Sequence, residues 1–458
     1  MNFIGRWMQR WRALDPAWRF ALGAYLAARV ALSAWAFVIT LLFPTVLRNL
    51  DLFHSPTLAI FDMQSGERYA YSRVVAGAAL TFRSGDPGFV IDEQTNSVWS
   101  MRDGRAIAGT WVGQTLGATT YSGEEIYPYH GVAPEKNLWL SVWQRFDANW
   151  YLAIAARGYG TLSGDTHFPP LYPALIRVGG AIVGNDFVAA LVISNLAFVV
   201  ALVLLYQLTR EQWDAATADR TVALLLVFPT AFFFFGAYTE SLFLVLALLA
   251  LRAMQNRQWA FAGLWIFCAI LTRLQGVALV VPLAYALWRA HPFDQKFARG
   301  MAVALPALAM GLYLGLRALT GDSSVVPLAE TDLHARMAMP WENYFYALQT
   351  LASGNILNAD ALNFLVTTLC VLALVMGWRA LPPLWNLYAW ASLIVLTMRV
   401  VDTQPLNSMG RYALTLFPIF ALGGMVSKNS WAQRALVYPG FALSLYFCAQ
   451  FILWGWVG

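Results

Sequence analysis

Charged side chains are scarce in this sequence of 458 residues, because only 12% of it is Asp, Glu, Lys or Arg. A soluble globular domain carries about 25% of these residues. Hydrophobic residues make up 59% of the chain, and the sequence contains 20 tryptophans. This composition excludes an ordinary soluble domain and indicates a polytopic protein with the bilayer as its main solvent. The net charge of +5 does not indicate nucleic-acid binding, since much of it falls in short loops.

Cysteine is rare too. The three cysteines, Cys268, Cys370 and Cys448, lie in apolar segments, and none lies in the long polar region that follows residue 43. We therefore expect no disulfide framework, and no cysteine metal site is available. Packing is the expected role of all three.

Long apolar runs are what the sequence has in abundance. The first, about 20–43, is too long for a signal-peptide core and has no clear cleavage site, so we predict a retained first span. The basic residues before it place the N-terminus in the cytoplasm. Ten more predicted spans follow, at 187–208, 221–235, 238–253, 260–272, 275–290, 300–319, 361–378, 384–400, 411–426 and 434–456.

Several of these runs are shorter than the roughly 20 residues that crossing a membrane takes. They are either half-helices around a cavity or longer helices that extend beyond the runs. The sequence therefore predicts an all-α polytopic membrane protein of about eleven transmembrane helices. Four parts are expected: 1–43 with the first helix, 44–136 as a polar insertion, 137–186 as juxtamembrane helices, and 187–458 as the transmembrane bundle.

The polar region 44–136 has a different pattern. It contains the short alternating runs "TLAIFD", "RYAYSRVV" and "NSVWSM", with turn pairs such as Ser65-Gly66 and Asp103-Gly104 between them. This pattern predicts a small β-rich insertion in the first outer loop. It holds no catalytic motif that we find.

Alternation from a cytoplasmic N-terminus places the Arg- and Lys-bearing short loops in the cytoplasm, as the positive-inside rule requires. The same alternation places five ionisable residues at the outer ends of spans: Glu240, Arg273, Arg399, Asp402 and Arg411. An ionisable residue beside hydrocarbon is costly and indicates function. Each one alone is also compatible with an interfacial or helix-packing role. Arg29, inside the first span, can face a cavity, pair with an acid such as Asp186, or extend to the cytoplasmic surface, which we favour.

The stretch 138–157 has an aromatic stripe, and Asp147 and Tyr151 lie on another face. This spacing predicts one amphipathic helix in the membrane interface, ended by Gly158 and Gly160. Pro169 and Pro170 precede a second predicted surface or re-entrant helix, about 171–184. Asp147 would then be held at the outer surface as a general base for an attacking hydroxyl. It can equally be an exposed acid paired with an arginine, and His167 can bind a phosphate or sugar or cap the second helix.

The segments "RFDANWYLAIAARGYG" and "HFPPLYPALIR" resemble the signature of the PIG-V family, the second mannosyltransferases of GPI-anchor assembly, and of their prokaryotic relatives. "FPTAFFFFGAYTESLFLVLALLAL", "LTRLQGVALVVPL" and "GRYALTLFPIF" resemble further segments of that family in the same order. The resemblance covers about 137–300 well and 395–425 loosely, and it does not cover 44–136. Where the family usually has a Phe pair before a proline, this chain has His167-Phe168-Pro169-Pro170. This difference bears on which donor or acceptor the protein prefers, and not on its class.

This resemblance implies a GT-C membrane glycosyltransferase that takes a hexose, mannose first, from a polyprenyl-phosphate donor. It implies Asp147 as the catalytic acid of the first outer loop and Glu240 as a second acidic residue. The forked guanidinium group of arginine suits the phosphate of the leaving group. Arg411 and Arg273 are therefore its first expected ligands, and Arg399 is the next. A divalent cation stays open, with Asp147, Glu240 and Asp402 as oxygen donors.

The acceptor would be a lipid, a glycan or a protein, and transfer would invert the anomeric centre. We expect a prokaryotic plasma membrane with the site outside, or the ER membrane if the protein is eukaryotic. Two other functions are compatible with the composition: a transporter or flippase of polyprenyl-linked or small polar substrates, and a membrane scaffold. A transporter predicts ionisable residues near the midplane and paired broken helices, whereas here the acids gather at one surface.

Overall fold

The computed structural model describes residues 13–52, 54–290, 295–320, 335–354, 358–401 and 404–457. Two compact units divide the chain. The smaller unit spans Ser33–Ala153 and Ala449–Gly455, and the larger unit contains the described residues of the rest.

The smaller unit contains antiparallel sheets. The strands are β1 Thr45–Leu52, β2 Ser55–Asp62, β3 Arg68–Ser72, β4 Val74–Val75, β5 Ala78–Ala79, β6 Phe82–Ser84, β7 Phe89–Asp92, β8 Val98–Ser100 and β9 Ala106–Ala108. Strands β1, β2 and β3 form one sheet in that order, β6 to β9 form a second, and β4 pairs with β5. Each of the three alternating runs of the sequence contains strand residues, and Gly66 and Gly104 take the positive φ of a turn.

The side chains between these strands form an apolar core around Leu58, Ile60, Val90 and Trp99. The carboxylate of Asp92 accepts hydrogen bonds from the Trp99 indole (3.0 Å), from the backbone N–H and hydroxyl of Thr95, and from the backbone N–H of Ser97. Burial would raise the pKa of Asp92, but these hydrogen bonds outweigh burial and hold the pKa below its usual range.

The rest of the described chain is mainly helical, with a two-stranded antiparallel pair of β10 Ala335–Met337 and β11 Arg399–Val401. The helices are α1 Pro16–Leu42, α2 Gly123–Ile126, α3 Leu138–Ser141, α4 Asp147–Arg157, α5 Leu171–Val183, α6 Asp186–Gln212, α7 Ala215–Leu226, α8 Glu240–Gln255, α9 Trp259–Thr272, α10 Val280–Arg289, α11 Lys296–Leu319, α12 Pro340–Ser353, α13 Asn358–Met376, α14 Pro383–Thr397, α15 Met409–Tyr412, α16 Phe417–Val426 and α17 Ser430–Ile452.

Every apolar run that predicted a span overlaps at least one of these helices. Within the described residues, four helices are long and apolar enough to cross a bilayer: α1, α6, α11 and α17. A fifth crossing results if the bent pair Met409–Thr415 and Phe417–Val426, with a bend of 78°, is one span. The count of eleven spans stays a prediction.

The prediction of one helix over 138–157 is wrong. Helix α3 ends at Ser141 and α4 begins at Asp147, with five residues between them. The Gln144 side chain accepts a hydrogen bond from the backbone N–H of Glu135 (2.7 Å) and donates one to the carbonyl of Ala133 (3.2 Å). Tertiary hydrogen bonds therefore hold this segment in place of the backbone hydrogen bonds of a continuous helix. The aromatic stripe is split in consequence: Trp143 is fully buried, whereas Trp139 is 54% exposed. Helix α4 ends before Gly158 and Gly160, both at positive φ, as predicted.

Arg29, for which we favoured an extension to the cytoplasmic surface, makes a hydrogen bond within the larger unit. Its Nη1 donates to the carbonyl of Phe235 (3.0 Å). The same carbonyl accepts from Asn195 (3.2 Å), and Asn195 in turn accepts from Tyr25 of α1 (2.8 Å). A buried carbonyl at the end of a 3₁₀ turn needs donors, and Arg29 supplies one.

Candidate active site: Glu240 between two arginines

The backbone before Glu240 changes conformation twice. Helix α7 ends at Leu226, residues Ala231–Phe235 form a 3₁₀ helix, and α8 begins at Glu240. The hydroxyl of Ser241 donates to the carbonyl of Phe234 (3.0 Å), which fixes the 3₁₀ helix against the first turn of α8. The segment 231–241 is buried throughout. The predicted single span 221–235 is therefore two pieces, and the break carries Glu240 into the interior at a helix N-terminus, where a carboxylate is favoured.

Arg273 makes the closest contact with Glu240. Its Nη1 lies 2.5 Å from Glu240 Oε1 and donates to Thr239 Oγ1 at 2.9 Å. Arg273 has an extended backbone, with φ −152° and ψ 136°, between the end of α9 and the 3₁₀ helix Leu274–Leu279. The carboxylate of Glu240 is 0% exposed and the Arg273 side chain 11% exposed. This is a nearly dry, charge-assisted hydrogen bond, the stronger class of such bonds.

Arg411 approaches the same carboxylate oxygen from α15. Its Nε lies 3.3 Å from Glu240 Oε1, and its side chain is 6% exposed. The guanidinium carbon lies 5.2–5.6 Å from four ring centroids, those of Phe233, Tyr238, Tyr412 and Trp456. Aromatic faces attract a desolvated cation, so these rings hold the guanidinium in a fixed place.

Backbone hydrogen bonds fix the segment that presents Arg411. The amide of Gly410 donates to Asn363 Oδ1 (2.7 Å), and the carbonyl of Gly410 accepts from Thr230 Oγ1 (2.7 Å). One turn later, Thr415 exchanges hydrogen bonds with the side chain of Gln275, and its carbonyl accepts from Tyr388 (2.8 Å). The Arg273 and Arg411 segments are thus tied to each other by a buried polar network.

The three side chains together carry one net positive charge in a buried setting. Both arginines contact Oε1 of Glu240, while Oε2 is buried and has no hydrogen-bond partner in the described chain. Buried polar atoms are normally paired, and an exception needs a reason. A hydroxyl or water of a bound molecule would satisfy Oε2, and the two guanidinium groups favour an anionic ligand.

Asp147 and Tyr151 lie in the smaller unit. Asp147 is the first residue of α4 and is partly buried, and Tyr151 is buried one turn later. Phe146, just before Asp147, has φ 50°, a left-handed conformation that costs a bulky residue roughly 1–3 kcal/mol. Such strain is typical of functional positions. The convergence of Asp147 with Glu240 and the arginines stays a prediction.

Arg145 holds the turn that carries Phe146 and Asp147. Its guanidinium is 1% exposed and donates to the carbonyls of Ser141 (2.8 Å) and Ile452 (3.1 Å). It also lies 5.0 Å from the Trp454 ring. These contacts pin the backbone on the N-terminal side of Asp147, so the position of the carboxylate depends on a buried cation.

Two other predicted site residues, His167 and Arg399, have local contacts of their own. His167 ends the 3₁₀ turn Asp165–His167, and its Nδ1 lies 2.9 Å from the carbonyl of Gly164. Arg399 begins β11, and its carbonyl accepts from Asn343 (2.8 Å). Asp402 lies outside the described residues. In the part of the chain that is described, no three His, Cys, Asp or Glu residues are placed to hold a metal.

The residues that support the two arginines were not predicted from the sequence. They are Thr239 and the four rings around Arg411. A signal was present, since "FFFFGAYTE" and "GRY" set aromatic residues directly beside ionisable ones. Trp456 had no such signal, because only the fold brings it to Arg411.

Residues 167–315 match the family described as dolichyl-phosphate-mannose-protein mannosyltransferase. A GPI mannosyltransferase 2 of Yarrowia lipolytica is 29% identical over 123 residues, which are 27% of this chain and 34% of that protein. The match thus spans about a third of the length of the curated relative.

Two solved structures share similarity with the chain. ArnT from Cupriavidus metallidurans bound to undecaprenyl phosphate has a TM-score of 0.42 and 14% identity, over 67% of this chain and 71% of that one. The Archaeoglobus fulgidus oligosaccharyltransferase in complex with zinc and sulfate has a TM-score of 0.34 and 16% identity, over 62% and 44%. The chain is thus similar in sequence to dolichyl-phosphate-mannose-protein mannosyltransferases and to a GPI mannosyltransferase 2, which agrees with the resemblance of its motifs.

Proposed function

We propose that the protein is a glycosyltransferase that moves a hexose, mannose first, from a polyprenyl-phosphate donor to a hydroxyl of a lipid, glycan or protein acceptor. The arrangement of Arg273 and Arg411 around Glu240 is the observation that carries this proposal. The names of the matching family and of the yeast relative both give mannosyl transfer, and the family name gives a dolichyl-phosphate donor.

The buried arginines suit the phosphate of such a donor. A polyprenyl-phosphate sugar carries one negative charge on its phosphodiester, and the departing polyprenyl phosphate gains a second as the bond to the sugar breaks. Two guanidinium groups in a water-poor site stabilise the second charge more than the first. Their contribution therefore falls mainly on the transition state, which is the condition for catalysis.

In the proposed step, the acceptor oxygen attacks the anomeric carbon while the bond from that carbon to the phosphate oxygen breaks. The bonding electron pair leaves with the polyprenyl phosphate, and the hydroxyl proton passes to Asp147. A single displacement inverts the anomeric centre. We propose that Glu240 orients the two arginines and that its second oxygen receives a hydroxyl of the substrate. His167, Tyr151, Arg399 and Asp402 are proposed to line the donor or acceptor site, on the extracytoplasmic side of the membrane.

The test is sugar transfer by the full-length protein in nanodiscs, with a panel of polyprenyl-phosphate hexoses and of lipid, glycan and peptide acceptors. Asp147→Asn should lower the transfer rate by about 10²- to 10⁴-fold, the usual contribution of a general base. Glu124→Gln is a matched control, because Glu124 is a half-exposed acid of the same unit that pairs with Arg68.

Transfer that survives Asp147→Asn undiminished would remove Asp147 from the mechanism. Movement of a polyprenyl-linked sugar across the bilayer without any transfer would instead support the transporter alternative.

A further inference from the structure

A basic cavity lies at the end of α8 that is remote from Glu240. It has a volume of about 190 Å³, and its lining includes Gln255, Arg257, Trp259, Tyr285, Arg289 and Leu384. Helix α8 runs 16 residues from Glu240 to Gln255, about 24 Å at 1.5 Å per residue. The cavity is therefore separate from the candidate active site, and a ligand bound there is independent of the proposed function.

Two arginines give this cavity its charge. Within the described chain, the guanidinium groups of Arg257 and Arg289 make no hydrogen bond or ion pair, and no lining residue is acidic. Arg252, one turn earlier on α8, differs in this respect because it pairs with Glu211 at 3.3 Å. Like charges that share one cavity repel each other, so an anion between them would be stabilising.

Helix geometry accounts for only one of the two arginines. Arg289 ends α10, where a cation offsets the exposed carbonyls of the last turn. Arg257 lies beyond the end of α8 with φ 55°, a conformation that Gly or Asn adopts most readily. The backbone alone gives no reason for an arginine at that position, whereas a ligand that needs its charge does.

The rest of the lining indicates the class of ligand. Trp259 and Tyr285 are residues of the kind that lie at the membrane–water interface, and Leu384 and Ala286 are apolar. Basic pockets between membrane helices bind the phosphate groups of lipid headgroups. We propose that this cavity binds the phosphodiester of an anionic phospholipid, with Arg257 and Arg289 on the phosphate and the aromatic residues beside the glycerol.

The test uses the full-length protein in nanodiscs of phosphatidylcholine that contain increasing amounts of phosphatidylglycerol, with retained lipid counted by native mass spectrometry. Replacing both Arg257 and Arg289 with glutamine should weaken retention of phosphatidylglycerol by about thirtyfold. Arg252→Gln, the matched control, should retain the lipid as the wild type does. The single Arg289→Gln variant should show an intermediate loss, which keeps the test open if the double variant folds poorly.

Inorganic phosphate forms the second arm. If millimolar phosphate displaces the lipid from the wild type, the site recognises the phosphate group itself, and if it does not, the site requires the whole headgroup. Both outcomes support an anion site at Arg257 and Arg289. Equal retention by the wild type and the double variant would overturn it, as would an equal loss in Arg252→Gln, which would show only general attraction to a charged surface.

Discussion

Replacing Arg411 with lysine tests the proposed phosphate site while keeping its charge. The wild-type guanidinium lies 3.3 Å from Glu240 and within 5.2–5.6 Å of four ring centroids. Lysine keeps one positive charge, but it loses the planar fork that bonds two oxygens of a phosphate at once. The ammonium group can still lie over an aromatic face, so the fold should tolerate the change.

The expected fall in transfer rate follows from the hydrogen bond to the phosphate that lysine cannot make. A hydrogen bond to a charged group contributes about 1.5–3 kcal/mol. If that bond strengthens as charge develops on the leaving phosphate, its loss lowers the transfer rate by about 10- to 150-fold. Because the ground-state donor carries less charge, we expect kcat to fall by more than KM rises.

The assay is the initial rate of hexose transfer from a polyprenyl-phosphate donor in nanodiscs at several donor concentrations. Arg210→Lys is the matched control, because Arg210 also combines an ion pair, to Asp15 at 3.6 Å, with a ring, Tyr206 at 5.9 Å. It should transfer at the wild-type rate. A kcat/KM for Arg411→Lys within twofold of the wild type would refute a role for the guanidinium in catalysis.

Three further predictions concern buried polar contacts. Glu240→Gln leaves two buried guanidinium groups without their carboxylate, so we expect the protein to lose about 3–5 kcal/mol of stability. This loss should appear as a lower Tm, and an unchanged Tm would contradict the buried ion pair. Arg145→Lys loosens the turn before Asp147 and should lower kcat about tenfold with the donor KM unchanged; a wild-type kcat would show that Arg145 does not position that residue. The hydrogen bonds that depress the pKa of Asp92 stabilise the folded sheet. This stabilisation is fully present above the pKa of about 4 that Asp92 has in the unfolded chain, and it is lost as the pH falls through the lower pKa of the folded state. Hydrogen exchange of β6–β9, corrected for intrinsic rates, should therefore rise at low pH in the wild type. The same rise in the Asp92→Asn variant would contradict the assignment of this pH dependence to the Asp92 carboxylate.

The helices could be predicted from the sequence because hydropathy and segment length are local properties. Every predicted span overlaps at least one helix, and α5 occupies Leu171–Val183 where the two prolines placed it. The breaks were harder to predict. The 3₁₀ helix Ala231–Phe235 follows Pro229 within an apolar run, and the hydropathy of that run alone did not reveal the break.

The cluster around Glu240 was predictable in part. Glu240, Arg273 and Arg411 were grouped by topology alone, and the structure places them in direct contact. The hydrogen-bond acceptors of Arg29 and Arg145 were not predicted, because they include carbonyls distant in sequence, those of Phe235 and Ile452 respectively. Periodicity describes which face a residue occupies, whereas a buried arginine is placed by acceptors that only the tertiary fold supplies.

Binding of polyprenyl phosphate, compared with binding of the polyprenol that lacks the phosphate, tests most directly whether Arg273 and Arg411 hold the donor phosphate. The measurement uses the purified wild type and the Arg273→Gln/Arg411→Gln variant in nanodiscs. We predict that the wild type prefers polyprenyl phosphate by at least about tenfold and that the variant has lost this preference. Equal binding of the two lipids by the wild type, or a preference that survives in the variant, would contradict the assignment of these arginines to the donor phosphate.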